Sequence, residues 1–251
     1  MRLVALFLAL GIISAVAADA RLSGFDQMGP ELRAMQSDDA ANPAMLWARG
    51  GGAAWARREG RADKSCADCH GDAAQSLRGA AARYPAFDAA SGEAVTLEQR
   101  INICRRTHQG ADALAPESDE LLSLSAQVAL QSRGLPVSPP DDARLNPARD
   151  RGRALFSLRQ GQLNLSCANC HDDNWGRRLG GSLIPQAHPT GYPRYRLEWQ
   201  TLGSLRRRMR NCLTGVRAEP FAEGAREWTD LEVFLMSRAA GMAMDAPAVR
   251  P

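Results

Sequence analysis

The pentapeptide Cys-x-x-Cys-His occurs twice, as Cys66-Ala-Asp-Cys69-His70 and as Cys167-Ala-Asn-Cys170-His171. No other feature of the chain restricts its possible folds so tightly. Two thiols at this spacing reach the two vinyl groups of one haem, and the adjacent histidine then falls on the iron as an axial ligand. A zinc site would need about four ligands in each place, and the chain holds only 4 histidines. A thioredoxin-like site needs a βαβ setting, which the flanking sequence does not offer. Cys66, Cys69, Cys167 and Cys170 are therefore read as thioether positions, and His70 and His171 as iron ligands, for two covalently bound haem c groups.

The N-terminus agrees with this chemistry. Met1-Arg2 is a short basic start, Leu3 to Val16 is apolar, and Ala15-Val16-Ala17 and Ala18-Asp19-Ala20 both offer a cleavage pattern. Residues 1–20 read as a secretory signal peptide, which places the mature protein in the periplasm. The apolar run falls short of the ~20 residues needed to span a bilayer. No later segment is long and apolar enough, so no membrane span is expected in the mature chain. A net charge of +3 gives no reason to expect nucleic acid as a partner.

Aligning the two motifs brings the rest of the chain into register. Gly52-Ala-Ala-Trp-Ala-Arg-Arg-Glu-Gly60 precedes the first, and Gly152-Arg-Ala-Leu-Phe-Ser-Leu-Arg-Gln-Gly161 the second. After each motif comes a Gly/Pro-containing loop and then L-x-x-R-x-x-x-C, as Leu97 to Cys104 and Leu205 to Cys212. On a helix the Leu, Arg and Cys of that pattern share one face. Each half closes with an amphipathic helix, through Leu121, Leu124, Val128 and Ser132 in one and Trp228, Leu231, Leu235 and Ser237 in the other. The expected fold is all-α: two tandem cytochrome-c-like domains from an internal duplication, over 50–140 and 141–251. Leu135 to Asp142 reads as the linker. Residues 21–49 form an N-terminal extension, expected to wrap the first domain or to meet a partner.

The second axial ligand of each iron is the informative question. Methionine is common in that place, yet no methionine lies between Met45 and Met209. The first half offers Cys104 and His108; the second offers Cys212, His188, Met209, Met236, Met242 and Met244. Only cysteine occupies equivalent positions in both halves, so Cys104 and Cys212 are the expected ligands. A Cys104–Cys212 disulfide, or a buried inert thiol, is the alternative in an oxidising compartment. His188 reads as a structural hydrogen-bonding group or site rim, His108 as a surface residue, and Trp175, Trp199 and Trp228 as packing around haem.

Cys212 sits among arginines: Arg206, Arg207, Arg208 and Arg210 before it and Arg217 after. Arginine binds oxyanions through bidentate, charge-assisted contacts. Arg208 lies one turn before Cys212 and is placed to hold an anion beside the sulfur. Arg206 and Arg207 read as propionate partners or solvated groups. Nearby cations also favour thiolate over thiol.

On Ser65 to His70, Arg100 to Cys104, Ser166 to His171 and Arg208 to Cys212 followed by Leu213-Thr-Gly, the chain resembles SoxA. SoxA is the dihaem subunit of the SoxAX cytochrome, an L-cysteine S-thiosulfotransferase. The resemblance implies an enzyme that oxidatively joins thiosulfate to a cysteine of the SoxYZ carrier protein, with two electrons passing to a downstream cytochrome c. It implies a separate monohaem SoxX-type subunit as partner in a heterodimer. It assigns Cys212 as catalytic cysteine, able to carry an extra sulfur as a persulfide, and Arg208 as the group holding thiosulfate. The competing expectation is a dihaem thiosulfate dehydrogenase that forms tetrathionate.

Overall fold

Each half rests on a pair of helices brought together at a glycine. The computed structural model describes residues 20–251, so the expected signal peptide lies outside the described residues but for Ala20. In the first half, α1 spans Pro30–Ser37, α2 Ala44–Ala56, α3 Cys66–His70, α4 Ala73–Ser76, α5 Leu97–Cys104 and α6 Asp119–Leu130. The second repeats the plan with α7 (Asn146–Ser157), α8 (Cys167–His171), α9 (Leu205–Gly215) and α10 (Arg226–Arg238). Helix α2 packs on α6, and α7 packs on α10. A Cβ on Gly51 would stand 2.0 Å from the Ser123 carbonyl oxygen, and one on Gly152 would stand 2.0 Å from that of Asp230. No larger residue permits these backbone approaches.

The haem-motif helices are short and firmly started. Ser65 caps α3 and Ser166 caps α8, each in a reciprocal capping box with the residue three positions on, Asp68 or Asn169. Two orphan N–H groups at the start of each short helix are thereby satisfied, which fixes where the helix begins.

The described residues are mainly helical, as expected, but they also form three small sheets, with strands in the segments that read as loops after each haem motif. Strand β1 (Ala86–Asp88) pairs antiparallel with β2 (Glu93–Val95). A short hairpin of β3 (Arg178–Leu179) and β4 (Ser182–Leu183) has no counterpart among the described elements of the first half. Strand β5 (Arg194–Arg196) pairs antiparallel with β6 (Thr201–Gly203) and parallel with β7 (Ala248–Arg250). The β1–β2 and β5–β6 hairpins are equivalent. Each follows a cis Tyr-Pro peptide, Tyr84-Pro85 or Tyr192-Pro193, and each runs directly into the ligand helix α5 or α9.

The halves share a core. Trp55, Ala81, Val128 and Ala129 of the first pack with Met236, Met242 and Met244 of the second. The segment expected to be a linker is part of this contact. Val137 is buried, its amide donates to the Met242 carbonyl, and its carbonyl accepts from the Gly241 amide. The extension meets the first half, where Asp39 pairs with Arg133 at 2.6 Å, and it reaches the second half as well. Helix α1 packs on β7 at the far end of the chain. Gln36 donates to Asp245 and accepts from the Val249 amide, and Asn42 donates to the Pro247 carbonyl. Buried polar groups must find partners, and those of residues 36–42 find them in the second half. The last residues of the extension form the start of α2.

Candidate active site

Helix α8 presents two thiols and an imidazole together. The Nδ1 of His171 meets the Pro185 carbonyl oxygen at 2.6 Å. That contact orients the ring and leaves Nε2 as the nitrogen available to a metal. Phe156 stacks obliquely 6.4 Å from the His171 ring. Cys212 comes from α9 and lies near enough to His171 for the two groups to interact. An open cavity of about 340 Å³ adjoins His171, lined by Trp175, Gln186, His188 and Arg238 among others.

The first half repeats the arrangement. Trp55 takes the place of Phe156, with ring centroids 5.6 Å from His70, and its indole N–H donates to the Gly71 carbonyl at 2.9 Å. Cys104 lies near enough to Cys66 and Cys69 for their charges to interact. No disulfide joins any of the six cysteines, so Cys104 and Cys212 are not linked to each other. In each half, then, a pair of thiols on one helix stands beside an imidazole, with a third sulfur on a second helix. This donor set fits haem c held by His70 and Cys104 in one half and by His171 and Cys212 in the other. The methionines Met236, Met242 and Met244 are occupied in the shared core, and Met209 packs against the core of the second half.

The two third sulfurs differ in charge environment. Burial pushes the Cys104 thiol up, and Arg100 offsets this only in part. Burial also pushes Cys212 up, but the hydrogen bond with His171 and the charges of Arg208, His171 and Arg194 outweigh it, holding Cys212 below the ordinary thiol value. By contrast Cys167 is pushed up to about 11 by burial and the neighbouring Cys212. Favourable cations make a thiolate a better ligand and a better nucleophile.

Of the arginines singled out in the sequence, Arg208 acts on Cys212. Arg206 pairs with Glu223 at 2.6 Å, and Arg207 lies over the Trp199 ring at 4.5 Å. Arg210 and Arg217 are exposed. Sequence reasoning missed Arg194 and Arg196 of β5, whose charges reach Arg208. Alternate residues of a strand share a face, so Arg194 and Arg196 project to the same side. A run of three residues carries no readable alternation, and only the repeat after Tyr-Pro marks the position.

Comparison with known proteins fixes the family. Residues 50–137 and 151–244 each match the family described as SoxA/TsdA, cytochrome c domain. An L-cysteine S-thiosulfotransferase subunit SoxA from Rhodovulum sulfidophilum is 35% identical, over 91% of this chain and 79% of that protein. The chain belongs to the SoxA family. A second SoxA relative, from Pseudaminobacter salicylatoxidans, is 35% identical over 92% of this chain and 82% of its own length. The crystal structure of SoxXA from P. pantotrophus superposes with a TM-score of 0.88 at 31% identity, covering 92% of this chain and 87% of that one. The fold is thus the SoxA arrangement of tandem cytochrome c domains, and haem c is its cofactor.

The remaining expectations resolve within this SoxA frame. His188 Nδ1 meets the Leu22 carbonyl oxygen at 3.0 Å, a structural contact that ties the N-terminal segment to the second half. His108 is exposed. Trp228 is buried edge-on against Phe221 at 5.1 Å, so it packs against protein, while Trp175 lines the cavity at His171. Among the described residues no helix is long and apolar enough to cross a membrane.

Proposed function

We propose that this protein is the haem subunit of a periplasmic L-cysteine S-thiosulfotransferase. It joins thiosulfate oxidatively to a cysteine of a SoxYZ carrier and associates with a SoxX-type monohaem cytochrome. Two haem c groups are held by Cys66, Cys69, His70 and Cys104, and by Cys167, Cys170, His171 and Cys212. In the net reaction the carrier thiol loses its proton and a sulfur–sulfur bond forms to the outer sulfur of thiosulfate. Two electrons leave, towards a downstream cytochrome c. Haem, when bound, supplies the one-electron acceptance through which those electrons depart.

Cys212 is the catalytic sulfur, and Arg208 holds the thiosulfate anion beside it. The observation that carries this reading is the contrast between the equivalent arginines one turn before each cysteine: Arg100 is paired with Asp88 at 2.6 Å, whereas the charge of Arg208 acts on Cys212. His171 is fixed through its Nδ1 contact with the Pro185 carbonyl. Arg208 provides a fork of donors suited to a sulfonate group.

The test incubates the purified holoprotein and its small cytochrome partner with thiosulfate, an oxidant and a carrier peptide ending in a reactive cysteine. Mass spectrometry of the peptide should show a thiosulfonate adduct on that cysteine. Tetrathionate accumulating beside unmodified peptide would replace this reading with thiosulfate dehydrogenase.

A further inference from the structure

The two hairpins that feed the ligand helices are equivalent in place and opposite in charge. After the cis Tyr-Pro of the first half come Ala86 and, two residues on, Asp88; after that of the second come Arg194 and Arg196. Asp88 binds Arg100 at 2.6 Å, so the arginine one turn before Cys104 is neutralised. The place of Asp88 is taken by Arg196, and Arg208, the counterpart of Arg100, gains cationic neighbours where Arg100 has a carboxylate.

The two strand arginines are not alike. Arg196 is committed to the fold: it pairs with Glu198 at 2.7 Å and donates to the Pro251 carbonyl at 2.8 Å. Arg194 lies over the Tyr192 ring at 4.4 Å, and its Nε is buried with no hydrogen-bond partner. Burial beside Arg250, Arg208 and Arg196 brings its pKa down to about 10. Arg194 is half-buried, and a guanidinium with a shielded, unpartnered Nε and like charges nearby is stabilised when an anion joins it. The charge of Arg194 also reaches Cys212.

We propose that Arg194 and Arg208 together form a subsite for a doubly charged sulfur oxyanion, with Arg194 the positioning residue that selects for the second negative charge. The inference rests on the function proposed above and adds a specificity determinant to it. Thiosulfate carries two negative charges, and two guanidinium groups answer them. With its sulfonate oxygens held between Arg194 and Arg208, its outer sulfur is the end left to face Cys212. The first half, with Ala86 and an Asp88–Arg100 pair in the same places, has no such subsite and is left to electron transfer.

A haem propionate is the other anion that would satisfy Arg194, and the experiment separates the two. Arg194→Gln and Arg194→Lys holoproteins would be compared with the parent, each with its cytochrome partner. The readouts are KM and kcat for thiosulfate, calorimetric binding of thiosulfate, the reduction potential and visible spectrum, and thermal stability. The expected result for Arg194→Gln is a KM and a binding constant weakened by about 10- to 100-fold. Its potential and spectrum should be unchanged, its stability equal or higher, and Arg194→Lys should recover much of the affinity. Unchanged thiosulfate binding in Arg194→Gln would overturn the proposal. A shifted potential with lowered stability and intact thiosulfate binding would do the same and assign Arg194 to the propionate. Thiosulfate binding by the parent without carrier conjugation would instead overturn the proposed function while leaving the subsite standing.

Discussion

The His171 imidazole is held through Nδ1 by the Pro185 carbonyl at 2.6 Å, and Cys212 of α9 lies near enough to interact with it. With Nδ1 occupied by Pro185, the Nε2 of His171 is left available, and His171 and Cys212 are the residues that would hold the haem iron of this half. Cys212→Ala should therefore keep haem bound through Cys167 and Cys170 and yet lower conjugation by about 10³-fold or more, as loss of a nucleophile does. The intact holoprotein mass and the visible spectrum check the first part, and the carrier-peptide assay checks the second.

Arg208 is expected to act on binding more than on chemistry. Removing a charge-assisted contact costs about 1.5–3 kcal/mol, so Arg208→Ala should raise the thiosulfate KM by about 10- to 100-fold. Arg208→Lys keeps the charge but loses the fork, and should fall between the two. Steady-state kinetics at varied thiosulfate would settle this; a variant with parental KM would remove Arg208 from the anion site.

The contact between Gly152 and Asp230 admits no side chain. Gly152→Ala would place a Cβ 2.0 Å from the Asp230 carbonyl oxygen, and the backbone there cannot swing aside as a side-chain tip would. Asp230 is further pinned by Arg151 at 2.7 Å. Overpacking of this kind costs about 1–3 kcal/mol or more. Thermal unfolding of Gly152→Ala should fall by several degrees, and Gly51→Ala, whose Cβ would meet Ser123 in the same way, should behave alike.

Stability should also depend on a pair of carboxyls between the halves. Glu232 on α10 is pushed well up by burial and by the neighbouring Glu98 of α5, against the opposing charge of Arg206. Burial likewise pushes Glu98 up, with Glu117 adding to it and Arg206 and its own hydrogen bonds opposing. The native state thus binds these protons more tightly than the unfolded chain, whose carboxyl value is near 4.5. Their contribution is greatest below that pH and declines as pH rises through the elevated native values. Glu232→Gln should flatten this decline and raise stability near neutral pH relative to the parent. Melting temperatures across a pH series check it, and parallel curves for the two proteins would refute it.

The haem motifs and ligand helices were readable because covalent attachment demands fixed spacing, and because Leu, Arg and Cys on one helical face leave a periodic trace. The duplication made Cys104 and Cys212 stand out from competing methionines. Arg194 was not readable in this way. Its strand is three residues long, it follows a turn-rich segment, and its nearness to Cys212 depends on how the hairpin meets α9. The docking of residues 21–37 was hidden for a related reason. Polar, weakly periodic sequence gives no sign of its partner, and Gln36 finds its own more than 200 residues later, at Val249.

That last pairing bears on how such proteins can be recombined. Strand β5, which carries Arg194, is hydrogen-bonded along one edge to β7, and β7 is secured by α1 and Gln36. The first and second halves of two relatives are therefore not interchangeable modules. A chimaera joined at the segment around Val137 would separate the catalytic half from the N-terminal helix that braces it, whereas one that carries residues 21–42 along with the second half keeps the brace and its strand together.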